Sequence, residues 1–71
     1  MTKHRRIVLA DLIRSSPGDL YCKGQDHVAA RWLVQQRLAV YSGAAVFVGG
    51  YYCVPAEYMS AATAALYGWS K

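Results

Sequence analysis

His27, Arg31 and Gln35 recur at every fourth position, a spacing that lines up three polar side chains on one flank of a helix. Their shared chemistry is hydrogen-bond recognition. An arginine donates two parallel bonds to the O6 and N7 acceptors of guanine, and a glutamine amide matches the N6 and N7 edge of adenine. Each such pair contributes about 1–3 kcal/mol of discrimination against a wrong base. Lys3, Arg5, Arg6, Lys23 and Arg37 add cations suited to phosphate oxygens, which set register rather than sequence preference. The charge is unevenly spread: seven of the eight Lys and Arg fall between Lys3 and Arg37, within a net charge of +4. From Leu38 to Ser70 there is no basic residue, and Glu57 is the only acid. A cationic half of this kind attracts polyanions whatever their sequence.

Other chemistry finds little to work with. The four acids, Asp11, Asp19, Asp26 and Glu57, are each accounted for by a helix terminus or a solvated face. Cys22 and Cys53 have no histidine near them in the chain, so no nucleophile and base are paired. Neither the cysteines nor His4 and His27 have the spacing of a zinc site. Gly49-Gly50 is not followed by Lys-Ser/Thr, which a phosphate loop needs. The expectation is a protein with no catalytic residues, no metal, no cofactor and no small-molecule substrate.

The elements that must position these side chains belong to one domain, residues 1–71. At this size only about 60% of the unfolded chain's surface is buried on folding. Hydrophobic residues make up 55% of the chain, with six Tyr, two Trp and one Phe, more than one small core can hide. Some aromatics are therefore expected at the surface, where exposed apolar area marks an interface. A homodimer or a host protein partner follows. KHRR followed by IVLADLI is too short and too interrupted by Asp11 to be a leader, and no run approaches the ~20 apolar residues of a membrane span. These points predict a cytoplasmic protein, without membrane contact, whose thiols stay reduced.

Periodicity predicts a first helix over 3–15, with Val8, Leu9, Leu12 and Ile13 on one face and Ile7 off it. Ser15-Ser16-Pro17-Gly18 stops it. Ser16, Pro17 and Asp19 also read as a start signal, giving one helical turn through Cys22 with Leu20 and Tyr21 inward and Gly24 as its left-handed cap. Gln25 or Asp26 then caps a second helix over 26–40. Ala29, Trp32, Leu33, Gln36 and Val40 form its core side. His27, Arg31 and Gln35 project elsewhere, with the relief a helix needs to enter a groove. Runs over 44–48 and 51–54 flank Gly49-Gly50 and predict a tight β-hairpin turning at the two glycines. Pro55 opens a last helix, with Tyr58, Ala62, Ala65, Leu66 and Trp69 in one stripe, Met59 beside it and Gly68 at its end.

AARWLVQQRLAV, then VFVGGYYCVP, then AEYMSAATAAL resembles the winged helix-turn-helix modules of excisionases and MerR-type regulators. The points of likeness are Trp32, Leu38, Gly49, Gly50, Tyr52 and Pro55, and the likeness covers residues 28–66. It implies an α+β winged-helix domain, helices packed on a two-stranded hairpin in the order α-(α)-α-β-β-α. It also implies a small non-catalytic DNA-binding regulator or architectural protein of phage or plasmid type, acting on double-stranded DNA. On that likeness Arg31 and Gln35 lie on the major-groove face of the recognition helix, and Arg37 touches the DNA backbone.

A second expectation comes from the ribbon. Val46 to Val54 carries no Lys or Arg, so it cannot neutralise phosphates. An uncharged aromatic hairpin beside an alanine-rich last helix suits a phage- or plasmid-type inhibitor that binds a host protein. Tyr51, Tyr52, Tyr58, Met59 and Trp69 would be its anchors, because Tyr and Trp dominate interface hot spots. Phe47 would join them on that reading, although Phe47 and Trp69 are better explained as core residues.

Overall fold

The computed structural model describes residues 1–44 and 49–68. Element order is α1 (Lys3–Ser15), β1 (Leu20–Lys23), α2 (Gln25–Gln35), β2 (Val40–Ala44), β3 (Gly49–Cys53) and α3 (Ala56–Gly68). The strands form one antiparallel sheet in the order β1-β3-β2. The fold is α+β, with three helices and three strands among the described residues.

Helix α1 starts where Thr2 Oγ1 accepts a hydrogen bond from Arg5 N at 3.2 Å, satisfying one of the free amides of the first turn. Val8, Leu9 and Leu12 are buried, as the periodicity predicts, and Ile7 is exposed. At the other end the Ser16 amide donates back to Ile13 O, and the Ser16 hydroxyl donates to Val54 O at 2.9 Å. That second bond ties the end of α1 to the exit of β3.

The expected helical turn through Cys22 is instead strand β1, whose residues pair as Leu20↔Tyr52, Tyr21↔Tyr51, Cys22↔Gly50 and Lys23↔Gly49. Alternation along the strand buries Cys22 and exposes Tyr21, so Tyr21 does not pack inward. Gly24 does take a positive φ, 59°, but it opens α2 rather than closing a turn, and neither Gln25 nor Asp26 is the cap.

Helix α2 buries Ala29, Ala30 and Leu33; Trp32 is half-buried and Gln36 exposed. It ends five residues before the expected Val40. The Arg37 amide donates to Val34 O at 3.0 Å and the Leu38 amide to Leu33 O at 2.9 Å, the paired bonds of a Schellman cap. Arg37 holds the left-handed position of that cap, φ 60°, which glycine normally fills. The chain then reverses into β2, so Val40 begins a strand.

Strand β3 starts at Gly49, and both glycines lie within it rather than at a turn. Strand β2 pairs with it as Val40↔Cys53, Tyr41↔Tyr52, Gly43↔Tyr51 and Ala44↔Gly50, with a bulge between Tyr41 and Gly43. Residues 45–48 join the two strands, so the expected positions of Val46, Phe47 and Val48 lie outside the described residues, as does that of Trp69. The glycines serve close approach. A Cβ on Gly49 would stand 2.5 Å from the Cys22 carbonyl oxygen, and one on Gly50 2.9 Å from Tyr41 Cε1.

Tyr52, Leu9, Leu12, Leu33, Val54 and Cys22 are fully buried between α1, α2 and the sheet. Helix α3 adds Ala62 and Leu66 and packs on α1.

Two substitutions test this architecture. Gly49→Ala forces β1 and β3 apart and should lower unfolding free energy by about 1–3 kcal/mol in urea titrations, whereas Gly43→Ala, whose Cβ meets nothing within 4 Å, should change it little. Arg37→Gly relieves a left-handed side chain, a strain of roughly 1–2 kcal/mol partly offset by a freer unfolded chain. It should raise stability by roughly 0.5–1 kcal/mol.

Candidate nucleic-acid interface

Burial of Ala29, Ala30 and Leu33 leaves the opposite flank of α2 outward, and His27, Arg31 and Gln35 line one cleft there of about 390 Å³. Its remaining walls are Val34, from the same helix, with Tyr41 and Tyr52 from the sheet. The aromatic side is tightly organised. Tyr52 and Tyr41 ring centroids are 5.4 Å apart at 64°, and Tyr52 and His27 are 5.8 Å apart at 66°, both the edge-to-face arrangement that ring quadrupoles favour. The Tyr52 hydroxyl lies 3.4 Å from His27 Nδ1. Gly50 makes this possible: a Cβ there would be 2.9 Å from Tyr41, 3.3 Å from Tyr52 and 3.5 Å from His27.

A second groove, about 220 Å³, continues along α2 between Arg5, Val28, Arg31, Trp32 and Gln35. Arg5 reaches it from α1, its guanidinium 4.3 Å from the centre of the Trp32 ring. Such cation–π contact holds the cation in place and leaves its N–H groups available. A third groove of about 250 Å³ follows, lined by Thr2, His4, Arg5, Gln25, Val28 and Ala29. His4 Nε2 stands 2.8 Å from Asp26 Oδ1, linking the first turns of α1 and α2. None of the three grooves is lined by Asp or Glu.

The candidate base contacts His27, Arg31 and Gln35 therefore converge, and Arg5 joins them. Lys3, Arg6, Lys23 and Arg37 are exposed but line none of these grooves. Sequence reasoning missed Tyr41, read Gly50 as part of a turn rather than as a strand residue beside the cleft, and took Tyr52 for a surface anchor. Tyr52 is 1% exposed, so it forms the floor of the cleft and offers nothing to a protein partner. Tyr51 is exposed and pairs with Tyr21, ring centroids 5.4 Å apart, while Tyr58 and Met59 are half-buried against the core.

Burial raises the pKa of the Tyr52 hydroxyl, against the opposing pull of the Arg31 charge. The Cys22 thiol is pushed up to about 11, first by burial and then by the charges of Asp26 and Asp11. Cys53 is raised by burial and by Asp19, whose carboxylate accepts a 2.7 Å hydrogen bond from Ser42. These are protonated, unreactive thiols. Both are free. Among the described residues no three His, Cys, Asp or Glu side chains gather as a metal requires, and no helix is long and apolar enough to cross a membrane.

No family model, curated protein or solved structure matches the chain.

The Cys22 shift carries a pH dependence. Its folded pKa lies above the unfolded value of 9.0, so this contribution is intact below pH 9.0 and is lost as pH rises toward about 11, where only the unfolded chain readily ionises. The urea midpoint should fall more between about pH 8 and about pH 10.5 in the natural protein than in Cys22→Ala. Equal falls would remove Cys22 as the cause.

Proposed function

We propose that this chain is a small, non-catalytic DNA-binding regulator or architectural protein of winged-helix type, with α2 as the helix that enters the major groove of double-stranded DNA. The observation that carries the reading is the outward flank of α2, where His27, Arg31 and Gln35 stand in line, Arg5 is delivered alongside, and no acid lines the grooves. The one carboxylate of the helix, Asp26 in its first turn, is engaged by His4, which leaves the grooves beside Arg31 and Gln35 lined by no acid. The β2–β3 ribbon lies directly beyond α2 in the chain, where a wing belongs, and β1 braces it from the far side of β3.

Arg37 adds independent support. A left-handed cap position held by arginine rather than glycine retains strain, and retained strain is most simply understood when the side chain is needed. A phosphate contact just past the end of the recognition helix meets that need. Lys3, Arg5, Arg6 and Lys23 complete the phosphate set, while Arg31 and Gln35 read base edges.

A protein-binding surface is the second reading. Its support is the outer face of the sheet, where the Tyr21 and Tyr51 rings meet at a tilt of 49° while 40% and 42% exposed. A second copy of the chain or a host protein would seat there without covering α2.

Duplex binding measured against salt tests the first reading. Five phosphate contacts give a log–log slope of about −4 to −5. Arg31→Ala and Gln35→Ala should each cost about 1–3 kcal/mol of sequence preference, and Arg37→Gly should flatten the slope by about one. A flat salt response, or unaltered preference in both alanine variants, would sink the DNA reading. Loss of self-association or partner capture in a Tyr21→Ala, Tyr51→Ala double variant would favour the second.

A further inference from the structure

The cleft between α2 and the sheet has a shape that duplex recognition does not use. Base edges in a major groove are read by side chains reaching outward, yet Tyr41 approaches from the sheet and faces α2 across a hollow of about 390 Å³. That volume falls in the range of small-ligand sites, roughly 300–1,000 Å³. Its lining is also of that kind: apolar and aromatic surface from Val34, Tyr41 and Tyr52, with a few converging polar groups from His27, Arg31 and Gln35.

Each wall selects a feature of the occupant. Tyr41 is held at one edge by Tyr52 and remains 52% exposed, so ring surface is left for a flat aromatic group. The Tyr52 hydroxyl is already close to His27, which leaves Gln35 as the amide able both to donate and to accept at a heterocycle edge. Arg31 brings a permanent cation suited to a phosphate, and no carboxylate lines the cleft to repel one. Flat heterocycle, hydrogen-bonding edge and anion together describe a nucleotide. Bases stacked within a duplex have no free face to lay on a tyrosine.

We propose that this cleft binds a single unstacked nucleotide, its base against Tyr41 and within reach of Gln35, its phosphate on Arg31. The nucleotide is either free or an unpaired unit of a strand. Gly50 is the positioning residue, since any side chain there would drive the Tyr41 ring out of place. The site shares the outward flank of α2 with the proposed duplex interface but stands without it.

The experiment is a titration of the ¹⁵N-labelled full chain, followed by amide and arginine Nε–H shifts. The titrants are deoxyadenosine monophosphate, deoxyadenosine, and a single-stranded deoxyadenosine oligomer of about eight nucleotides, within one OB-fold-type site size. The expected result is saturable shifts at residues 27, 31, 35 and 41 with the monophosphate, and weaker binding of the nucleoside. Tyr41→Ala should weaken binding about 5- to 150-fold, the range of one base–aromatic stack, and Tyr41→Phe should preserve it. Arg31→Gln, an exposed helix-surface change that leaves the core untouched, should abolish the preference for the monophosphate over the nucleoside. Comparable affinity for monophosphate and oligomer identifies a free nucleotide as the ligand, and a much tighter oligomer identifies a strand; either result supports the site. Absence of saturation at these residues by both, or unchanged binding in folded Tyr41→Ala, overturns it. A duplex that binds with the salt slope above while the cleft stays silent overturns only the nucleotide site. Nucleotide binding without duplex binding overturns only the regulator reading.

Discussion

Two neighbouring strands can close on β3 because its first two residues carry no side chains. The Cys22 carbonyl occupies the space a Gly49 Cβ would take, and the Tyr41 ring occupies that of Gly50. Hydrogen and carbon differ here by about one methyl group, yet a close-packed interior does not absorb even that without moving backbone or rotamers. With the strands drawn in, Tyr52 sinks between them to 1% exposure and Cys22 does the same from β1. A chain of this length has little core to spare, so two missing side chains decide whether the sheet has three strands or two.

The same closeness shapes the outward flank of α2. Ala29 and Ala30, small and fully buried, let the helix lie near the sheet and α1, which turns the fourth-residue line of His27, Arg31 and Gln35 to the rim. The Schellman cap at Arg37 then reverses the chain early. Had the helix run on to Val40, Tyr41 would begin a strand one and a half turns further away and face nothing on α2. The early stop brings Tyr41 back beside Arg31 and converts a helix face into one side of a cleft. Arg5, anchored on Trp32, extends the positive strip across to α1.

What the sequence made legible was local. The bounds of α1 follow from a 3.6-residue apolar stripe and a Ser-Ser-Pro-Gly stop, and α3 follows from Pro55, Glu57 and the Ala62/Leu66 stripe. The polar line on α2 is equally local and was readable. Strand β1 was not, because Ser16-Pro17-Gly18-Asp19 mimics a helix start, and four residues are too few for periodicity to contradict it. Leu20–Lys23 is extended only because β3 supplies its hydrogen-bond partners from thirty residues away in the chain. The end of α2 was hidden because no glycine marks it; arginine holds the left-handed position instead. Gly49-Gly50 misled for the opposite reason. Two glycines between apolar runs suggest a turn needing positive φ, but among the described residues the only glycine with positive φ is Gly24. Their role is steric, and it depends on neighbours that no local pattern names. Tyr41 was missed for the same cause, since its place in the site comes from strand register.

The two faces of the sheet divide the chemistry of the molecule. Along β1 and β3, Cys22 and Tyr52 point toward the helices, so by alternation Tyr21 and Tyr51 point away from them. The outer face thus offers neutral, tilted tyrosine rings with Lys23 at one end, and the grooves along α2 offer arginines, a glutamine and a histidine, with the Asp26 carboxylate taken up by His4 at the start of the helix. A partner drawn by apolar contact and one drawn by charge would meet different surfaces, and occupancy of one does not block the other. Five of the eight Lys and Arg (Lys3, Arg5, Arg6, Arg14 and Arg31) lie on α1 and α2, while Tyr51 with Tyr21 supplies the outer face of the sheet and Tyr41 with Tyr52 the cleft wall. Tyr41 and Tyr52 are where the halves of the chain meet: uncharged rings from the second half, set against the Arg31 cation from the first. That seam sets an exposed ring from the sheet beside the Arg31 charge, as Trp32 sits beside the Arg5 charge further along α2.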